Sequence, residues 1–263
     1  MRFCVLASSS QGNATYVEGG GVRLLIDAGI SCRALEQSLA KREVPVEGLD
    51  GILVTHEHRD HIAGLYRFAT KHRVPVFANE GTAAVIERLG RQDRLPIPEW
   101  AIFESRVPFT LGELVVQPVR ISHDTAEPVA YTLACEEGKF GYFTDLGFPS
   151  QEVASAIQGC SALVLESNHD VEMLRYSGRP FRLVSRIAGD SGHLSNDQAC
   201  DLMARACPET LRQLVLAHLS QDCNEPRRAA YQMQQVLKRL GREEVAEHLA
   251  VAKVAEPLEM MEV

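Results

Sequence analysis

Within six residues, His56-Glu57-His58-Arg59-Asp60-His61, the chain places three histidines and an aspartate. Neutral imidazole and hard carboxylate are the donors that zinc and similar divalent ions take, with open positions left for water. His56 and His58 stand two apart, so in extended backbone both project to one side and can share an ion. Asp60 and His61 come just before Ile62-Ala63-Gly64-Leu65, where a helix is expected to start. Adjacent residues in a first helical turn splay, which sends this pair toward a second ion. The chemistry of such a pair of ions is the activation of water. A polar loop with incidental histidines is the competing explanation; the density of ligand types directly after the apolar run 51–55 argues against it.

Two ions need more donors than this loop holds. His123 follows an expected strand over 113–119, Asp145 ends one over 139–143, and His218 ends one over 213–217. A single histidine after a strand serves structure more often than it serves a metal. Three residues of the right type, each at a strand end, supply what the loop lacks.

The elements that must position them follow from hydrophobic periodicity. Further strands are expected over 2–7, 14–18, 22–27, 74–77, 129–135 and 162–166, and an apolar alternation occupies 248–254. Helices are expected over about 31–43, 62–72, 80–90, 150–158, 195–206 and 225–240. Strands and helices mixed in two successive groups point to two β-sheets packed face to face with helices outside. Neither a repeat nor a linker interrupts the 263 residues, so one domain over 1–263 is expected.

Composition sets further bounds. With 45% hydrophobic and 24% charged residues the chain reads as an ordinary soluble protein, without an apolar run near the ~18 residues that span a bilayer. The opening residues Met1 to Ala7 read as a short strand rather than a signal peptide. Seven cysteines, an odd number with no C-x-x-C pair, argue for a reduced compartment, the cytoplasm, and against a cysteine-type zinc site. A net charge of −8 argues against a broad basic face for duplex nucleic acid, although bound cations can hold a reacting phosphate themselves. Oligomeric state is not legible.

The order H-x-H-x-D-H followed by His, Asp and His at strand ends resembles the metallo-β-lactamase-fold hydrolases, from Leu24-Leu25-Ile26-Asp27-Ala28-Gly29 to His218. That resemblance implies a four-layer αβ/βα sandwich with metals at one edge. It implies one ion on His56, His58 and His123, a second on Asp60, His61 and His218, and Asp145 bridging both. The ions would be zinc, or manganese or iron, since these donors suit all three.

Later motifs narrow the chemistry. Glu166 at the end of strand 162–166, Gly192-His193-Leu194-Ser195 and His218-Leu219-Ser220 resemble the tRNase Z type of phosphodiesterase. The resemblance implies that His193 is not a ligand but sits beside the scissile phosphate, oriented by Glu166. The chemistry agrees: a carboxylate beside a histidine favours its charged form, which can donate a proton to a leaving oxygen. A helix-cap neighbour for His193 and a satisfied strand-end carboxylate for Glu166 are the structural alternatives. Gln221-Asp222 stands where tRNase Z has Arg-Tyr, and no long Gly/Pro-rich insertion exists, so transfer-RNA processing is discounted. Ala7 to Asn13, Glu166-Ser167-Asn168-His169-Asp170 and Gly192 to Asn196 resemble the bacterial YycJ/WalJ group, which implies DNA-directed nuclease or phosphodiesterase activity.

The expectation is therefore a dinuclear phosphodiesterase, an exonuclease-like enzyme on single-stranded or end-accessible DNA. A hydroxide between the metals would attack, with Asp60, His193 and Glu166 in the catalytic set. The alternative is a metallo-hydrolase of a small cyclic phosphodiester, lactone or thioester on the same fold. Ser10 and Asn13, in a loop that offers hydroxyls and backbone N–H groups, and Asn168 and His169 are candidate substrate contacts. A tight turn and an outer structural role are the respective alternatives. Arg182 and Arg186, one helical turn apart, would either touch a nucleic-acid backbone or form a solvated helix face.

Overall fold

Most strands of this chain are apolar on both faces, so neither face can be left to water and each sheet must be covered twice. The computed structural model describes residues 1–254 and 256–263 and meets this demand with two seven-stranded sheets. The first contains β1 (Arg2–Ala7), β2 (Ala14–Gly19), β3 (Val22–Ile26), β4 (Gly51–Leu53), β5 (Val76–Asn79) and β6 (Trp100–Phe103). The second contains β7 (Phe109–Leu111), β8 (Leu114–Arg120), β9 (Val129–Cys135), β10 (Gly138–Phe143), β11 (Ala162–Glu166), β12 (Gln213–Ala217) and β13 (Ala250–Val251). The terminal strand β14 (Met261–Glu262) returns to pair antiparallel with β1 on the outer edge of the first sheet.

Side-chain alternation assigns the layers. Along β1, Phe3 and Val5 face the second sheet, while Cys4 and Leu6 face outward. Likewise Leu24 and Ile26 of β3 point inward to meet Phe140, Tyr142, Val164 and Val215, and Leu25 points outward. The outward face of the first sheet is covered by α1 (Cys32–Lys41), α3 (Leu65–His72) and α4 (Glu80–Gln92) through Leu35, Leu39, Leu65, Phe68 and Ile86. The outward residues Leu163, Leu165, Leu214 and Leu216 of the second sheet are covered by α5 (Gln151–Ala156), α8 (Asn196–Ala206), α9 (Pro226–Arg239) and α10 (Glu243–Glu247). The fold is a helix–sheet–sheet–helix sandwich.

Strand direction decides where chemistry can sit. β3 to β6 run parallel, as do β10 to β13. β8 reaches the same direction as β10 through antiparallel β9. The carboxyl ends of β3, β4, β8, β10, β11 and β12 thus share one edge of the sandwich, where open α/β sheets place their ligands.

Some boundaries differ from expectation. The helix read over 62–72 is two pieces, α2 (Arg59–Ile62) and α3, divided at Gly64. A Cβ on Gly64 would stand 2.0 Å from the Ile30 carbonyl, so the chain needs a glycine where the pieces meet. The strand read over 74–77 is shifted to Val76–Asn79, and the alternation at 248–254 contributes only two paired residues. β6, β7, α6 (Val171–Arg175), α10 and β14 are not among the expected elements, and α7 (Phe181–Ile187) was foreshadowed only by the helical spacing of Arg182 and Arg186.

The two sheets are also clasped by a polar contact: the buried Tyr131 hydroxyl of β9 donates to the Val54 carbonyl beyond β4 at 2.5 Å. Tyr131→Phe strands that carbonyl and is expected to cost about 1–3 kcal/mol, read as a lower urea midpoint at unchanged m value. A midpoint equal to wild type would show that the clasp contributes nothing.

Candidate metal centre

Three residues at the shared edge, Asp27 after β3, Asp145 after β10 and His218 after β12, have left-handed backbone with φ of 61°, 59° and 55°. Non-glycine residues adopt this conformation rarely, and it persists where surrounding bonds over-determine it. Those bonds are present. The Asp27 carboxylate accepts from the Thr55 backbone N–H and hydroxyl. The His218 N–H donates to Ser8 Oγ at 2.7 Å, and its carbonyl accepts from Asn168 Nδ2 at 2.7 Å.

Seven side chains meet here. His56, His58 and His123 form one set whose donor atoms lie within 4.8 Å of one another; Asp60, His61 and His218 form another. Asp145 reaches both, with Oδ1 3.5 Å from His123 Nε2 and Oδ2 3.2 Å from His61 Nε2. The ring orientations are fixed from behind. His61 Nδ1–H donates to Asp27 Oδ2 at 2.7 Å, His123 Nδ1–H to the Gly192 carbonyl at 3.0 Å, and His218 Nδ1–H to Glu166 Oε1 at 2.9 Å. His56 Nδ1 meets the Thr55 hydroxyl at 3.0 Å, and that hydroxyl donates onward to Asp27. In each ring Nε2 is left to face the centre; His58 instead turns Nδ1 inward, 3.2 Å from His123 Nε2.

Two observations show that the residues fit divalent ions. His56 Nε2 and Asp145 Oδ2 are buried and make no hydrogen bond; the latter is close to His61 without hydrogen-bond alignment. Each such atom costs about 1–3 kcal/mol unless something satisfies it. The charge pattern agrees. Burial, reinforced by neighbouring imidazoles, pushes His56 well below the ordinary histidine range, and burial with His123 lowers His58, so both are neutral donors. Burial also opposes charge on His61 and His218. There Asp145, with Asp27 and Asp60 around His61 and with Asp60 and Glu166 around His218, outweighs it; His61 is raised well above its usual range and His218 to about 10. Protons on these two rings balance carboxylates that divalent ions would balance in their place.

Asp145, Glu166, His193 and His218 also bring donor atoms within 4.8 Å of one another, but the Glu166 oxygens are already engaged. Its Oε1 accepts from His193 Nδ1 and His218 Nδ1, both at 2.9 Å, and its Oε2 from the N–H groups of Leu146 and Leu194 at 2.8 and 3.0 Å. Four donors use a carboxylate's capacity. Burial opposes its charge, but the two histidines prevail and hold it at about 2.

A cavity of about 310 Å³ opens onto the centre, lined by His58, Asp60, Asp145, His193 and His218, with Ser10, Asn168, Ser220, Arg59, Arg179, Arg186 and Ile187 around it. The candidate substrate contacts divide. Ser10 is exposed and lines the cavity. Asn13 is fully buried: its Oδ1 accepts from the Ser9 N–H and the Ser8 hydroxyl, and its Nδ2 reaches Asp60 Oδ2 at 3.3 Å. That corrects its reading as a substrate contact, since it aims Asp60. Asn168 lines the cavity, yet its amide is engaged by the His218 carbonyl. His169 is buried, with burial pushing it to about 4, and lies outside the cavity lining, so its reading as a substrate contact is corrected too.

Asp27, Thr55, Asp124, Arg59 and Arg179 were missed as site residues. Asp27 carried one signal, a carboxylate directly after an apolar strand, as at Asp145. Asp124 accepts from Arg186 at 2.5 Å and stands 3.6 Å from His58 Nε2.

Comparison with known proteins places this geometry. Residues 22–219 match the family described as the beta-lactamase superfamily domain. The chain is 40% identical over 241 residues to exodeoxyribonuclease YycJ of Bacillus anthracis, covering 92% of this chain and 90% of the relative. It is 34% identical over 223 residues to exodeoxyribonuclease WalJ of Streptococcus pneumoniae, covering 85% and 83%. The crystal structure of the metallo-beta-lactamase fold protein YhfI from Bacillus subtilis superposes with a TM-score of 0.72 at 17% identity, covering 98% of both chains, which is a likeness of fold.

Two outcomes follow. Asp27→Asn frees the His61 tautomer and should weaken zinc or manganese binding about 10–100-fold in a protein that still melts cooperatively; unchanged affinity would remove Asp27 from the centre. Because His218 holds its proton up to about pH 10, metal loading at pH 7 must expel it. The binding heat should therefore depend on the ionisation enthalpy of the buffer, and affinity should tighten as pH rises. Identical heats in two such buffers would contradict the charge exchange.

Proposed function

The chain belongs to the beta-lactamase superfamily domain family, and on that premise we propose that it is a dinuclear metal-dependent phosphodiesterase, a nuclease acting on single-stranded or end-accessible DNA. The coarser reading, a metal-dependent hydrolase, is supported by the family and by histidine–aspartate clusters able to hold ions. The names of the relatives YycJ and WalJ, both exodeoxyribonucleases, support the finer one.

Held by His56, His58 and His123, by Asp60, His61 and His218, and by Asp145 between them, two divalent ions would supply activated water and positive charge toward phosphate oxygens, zinc being first choice with manganese and iron admissible. The remaining chemistry belongs to the chain. The observation that carries the reading is Glu166 Oε1, which accepts from a ligand-set histidine, His218, and from His193 at the cavity wall. One oxygen thereby fixes both rings, and His193 keeps Nε2 turned away from Glu166. His193 Nε2 is the position from which this ring hands a proton to the departing sugar oxygen. Arg59, Arg179 and Arg186 line the same cavity, the last two paired with Asp222 and Asp124, and bring positive charge to where non-bridging oxygens would lie. Asp60, aimed by Asn13, sets one end of the site, and Ser10 offers a hydroxyl at its rim.

A general acid matters in proportion to how poor the leaving group is. His193→Ala should therefore lower kcat on end-labelled DNA by about 10²–10⁴, and much less on an activated aryl phosphodiester. Equal losses on both would remove His193 as the proton donor. Wild-type enzyme is expected to cut single-stranded or frayed DNA; hydrolysis of a lactone or small cyclic diester, with DNA and RNA left intact, would replace the nuclease by a small-substrate hydrolase.

A further inference from the structure

The segment beside the cavity is out of character with the rest of the surface. α7 buries none of its residues, and Tyr176 and Phe181 are 73% and 83% exposed. Between Val171 and Ala188 four arginines accompany a single glutamate, in a chain of net charge −8; Arg179 is paired with Asp222 and Arg186 with Asp124, whereas Arg175 and Arg182 have no ion-pair partner among the described residues. The segment is nonetheless tied to the chemistry: the Ile187 carbonyl accepts from the His193 N–H at 2.9 Å, and Gly192 passes so close beneath Arg186 and Ile187 that a Cβ would stand 2.3 and 2.2 Å from their carbonyls.

The geometry points to this segment as a stacking platform for the unpaired bases that flank the scissile phosphate, an inference that rests on the nuclease reading. Exposed aromatic rings interleaved with guanidinium groups are what a single strand binds without sequence readout: every base has a face to stack, and every link a phosphate to neutralise. Arg175 lies over the Tyr176 ring, 5.5 Å from its centroid. Arg182, one turn from Arg186 of the cavity wall, has no carboxylate partner among the described residues. Phe181 precedes Ile187 by six residues, about 9 Å along a helix axis, within reach of nucleotides adjoining the one in the cavity. Exposed aromatics and arginines also mark protein interfaces. The excess of positive charge, in an acidic chain whose second copy would bring the same positive patch, favours a polyanion over self-association.

The test compares wild type with the Tyr176→Ala/Phe181→Ala pair, both metal-loaded, using a fluorescein-labelled phosphorothioate oligothymidylate for binding. Turnover of unmodified oligothymidylate and of an activated aryl phosphodiester is followed in parallel. The double variant should bind the oligonucleotide at least about tenfold more weakly and raise its KM, with the aryl diester turned over within about twofold of wild type. Phe181→Trp, which keeps a stacking face, should bind as wild type does. Unchanged oligonucleotide affinity in the double variant, no binding by wild type, or a change in sedimentation without a change in affinity would overturn the platform; the last would assign the patch to contacts between copies. Wild-type cleavage with unchanged KM in the variant sinks the platform alone, whereas platform-dependent binding without cleavage of any DNA sinks the nuclease alone.

Discussion

One oxygen atom, Oε1 of Glu166, holds two histidines at once. A fully buried carboxylate is tolerated only where its charge is met by donors, and here four N–H groups meet it. The consequence runs outward. Donation from the His218 ring at Nδ1 leaves Nε2 for the ligand cluster, and donation from the His193 ring at Nδ1 leaves Nε2 for the cavity. The orientations of two rings, one in the ligand cluster and one at the cavity wall, are thus set by one charge. Asp27 does the equivalent for His61 directly and for His56 through the Thr55 hydroxyl.

The sandwich makes that arrangement possible because the strands bearing these residues end at the same edge. Burial on both faces holds their ends rigid, and left-handed residues turn the chain sharply where a side chain must point back into the seam. The loop between β1 and β2 is wedged against the site at both ends: Ser8 accepts from the His218 backbone, and the Asn13 N–H donates to the Asp60 carbonyl at 2.7 Å. Gly29 fits against that same carbonyl, 1.7 Å from where a Cβ would be, so this approach is closed to any larger residue.

Much of this was legible in the sequence. The ligand loop was dense enough to be read alone, and strand ends marked Asp145 and His218 because strands buried on both faces give long apolar runs, while β8, half-exposed but still largely apolar, marked His123. What escaped was whatever depends on tertiary partners. Asp27 acquires its role from His61, which is 34 positions away. Asn13 and His169 had the chemistry of substrate contacts but are buried, and periodicity does not show burial in a loop. β7 is three residues without a buried face, and α7 has no apolar stripe to detect, since it packs no side chain into the core. The exposed rings of Tyr176 and Phe181 belong to this same stretch around α6 and α7.

In the proposed site two ions share Asp145 while Glu166 and His193 stay outside their coordination. Anomalous diffraction from crystals of the protein grown with zinc or manganese tests it most directly. Two anomalous peaks per chain are expected, one among His56, His58 and His123 and one among Asp60, His61 and His218, each within ligand distance of Asp145. A single peak, or an ion ligated by His193 or Glu166, would contradict it.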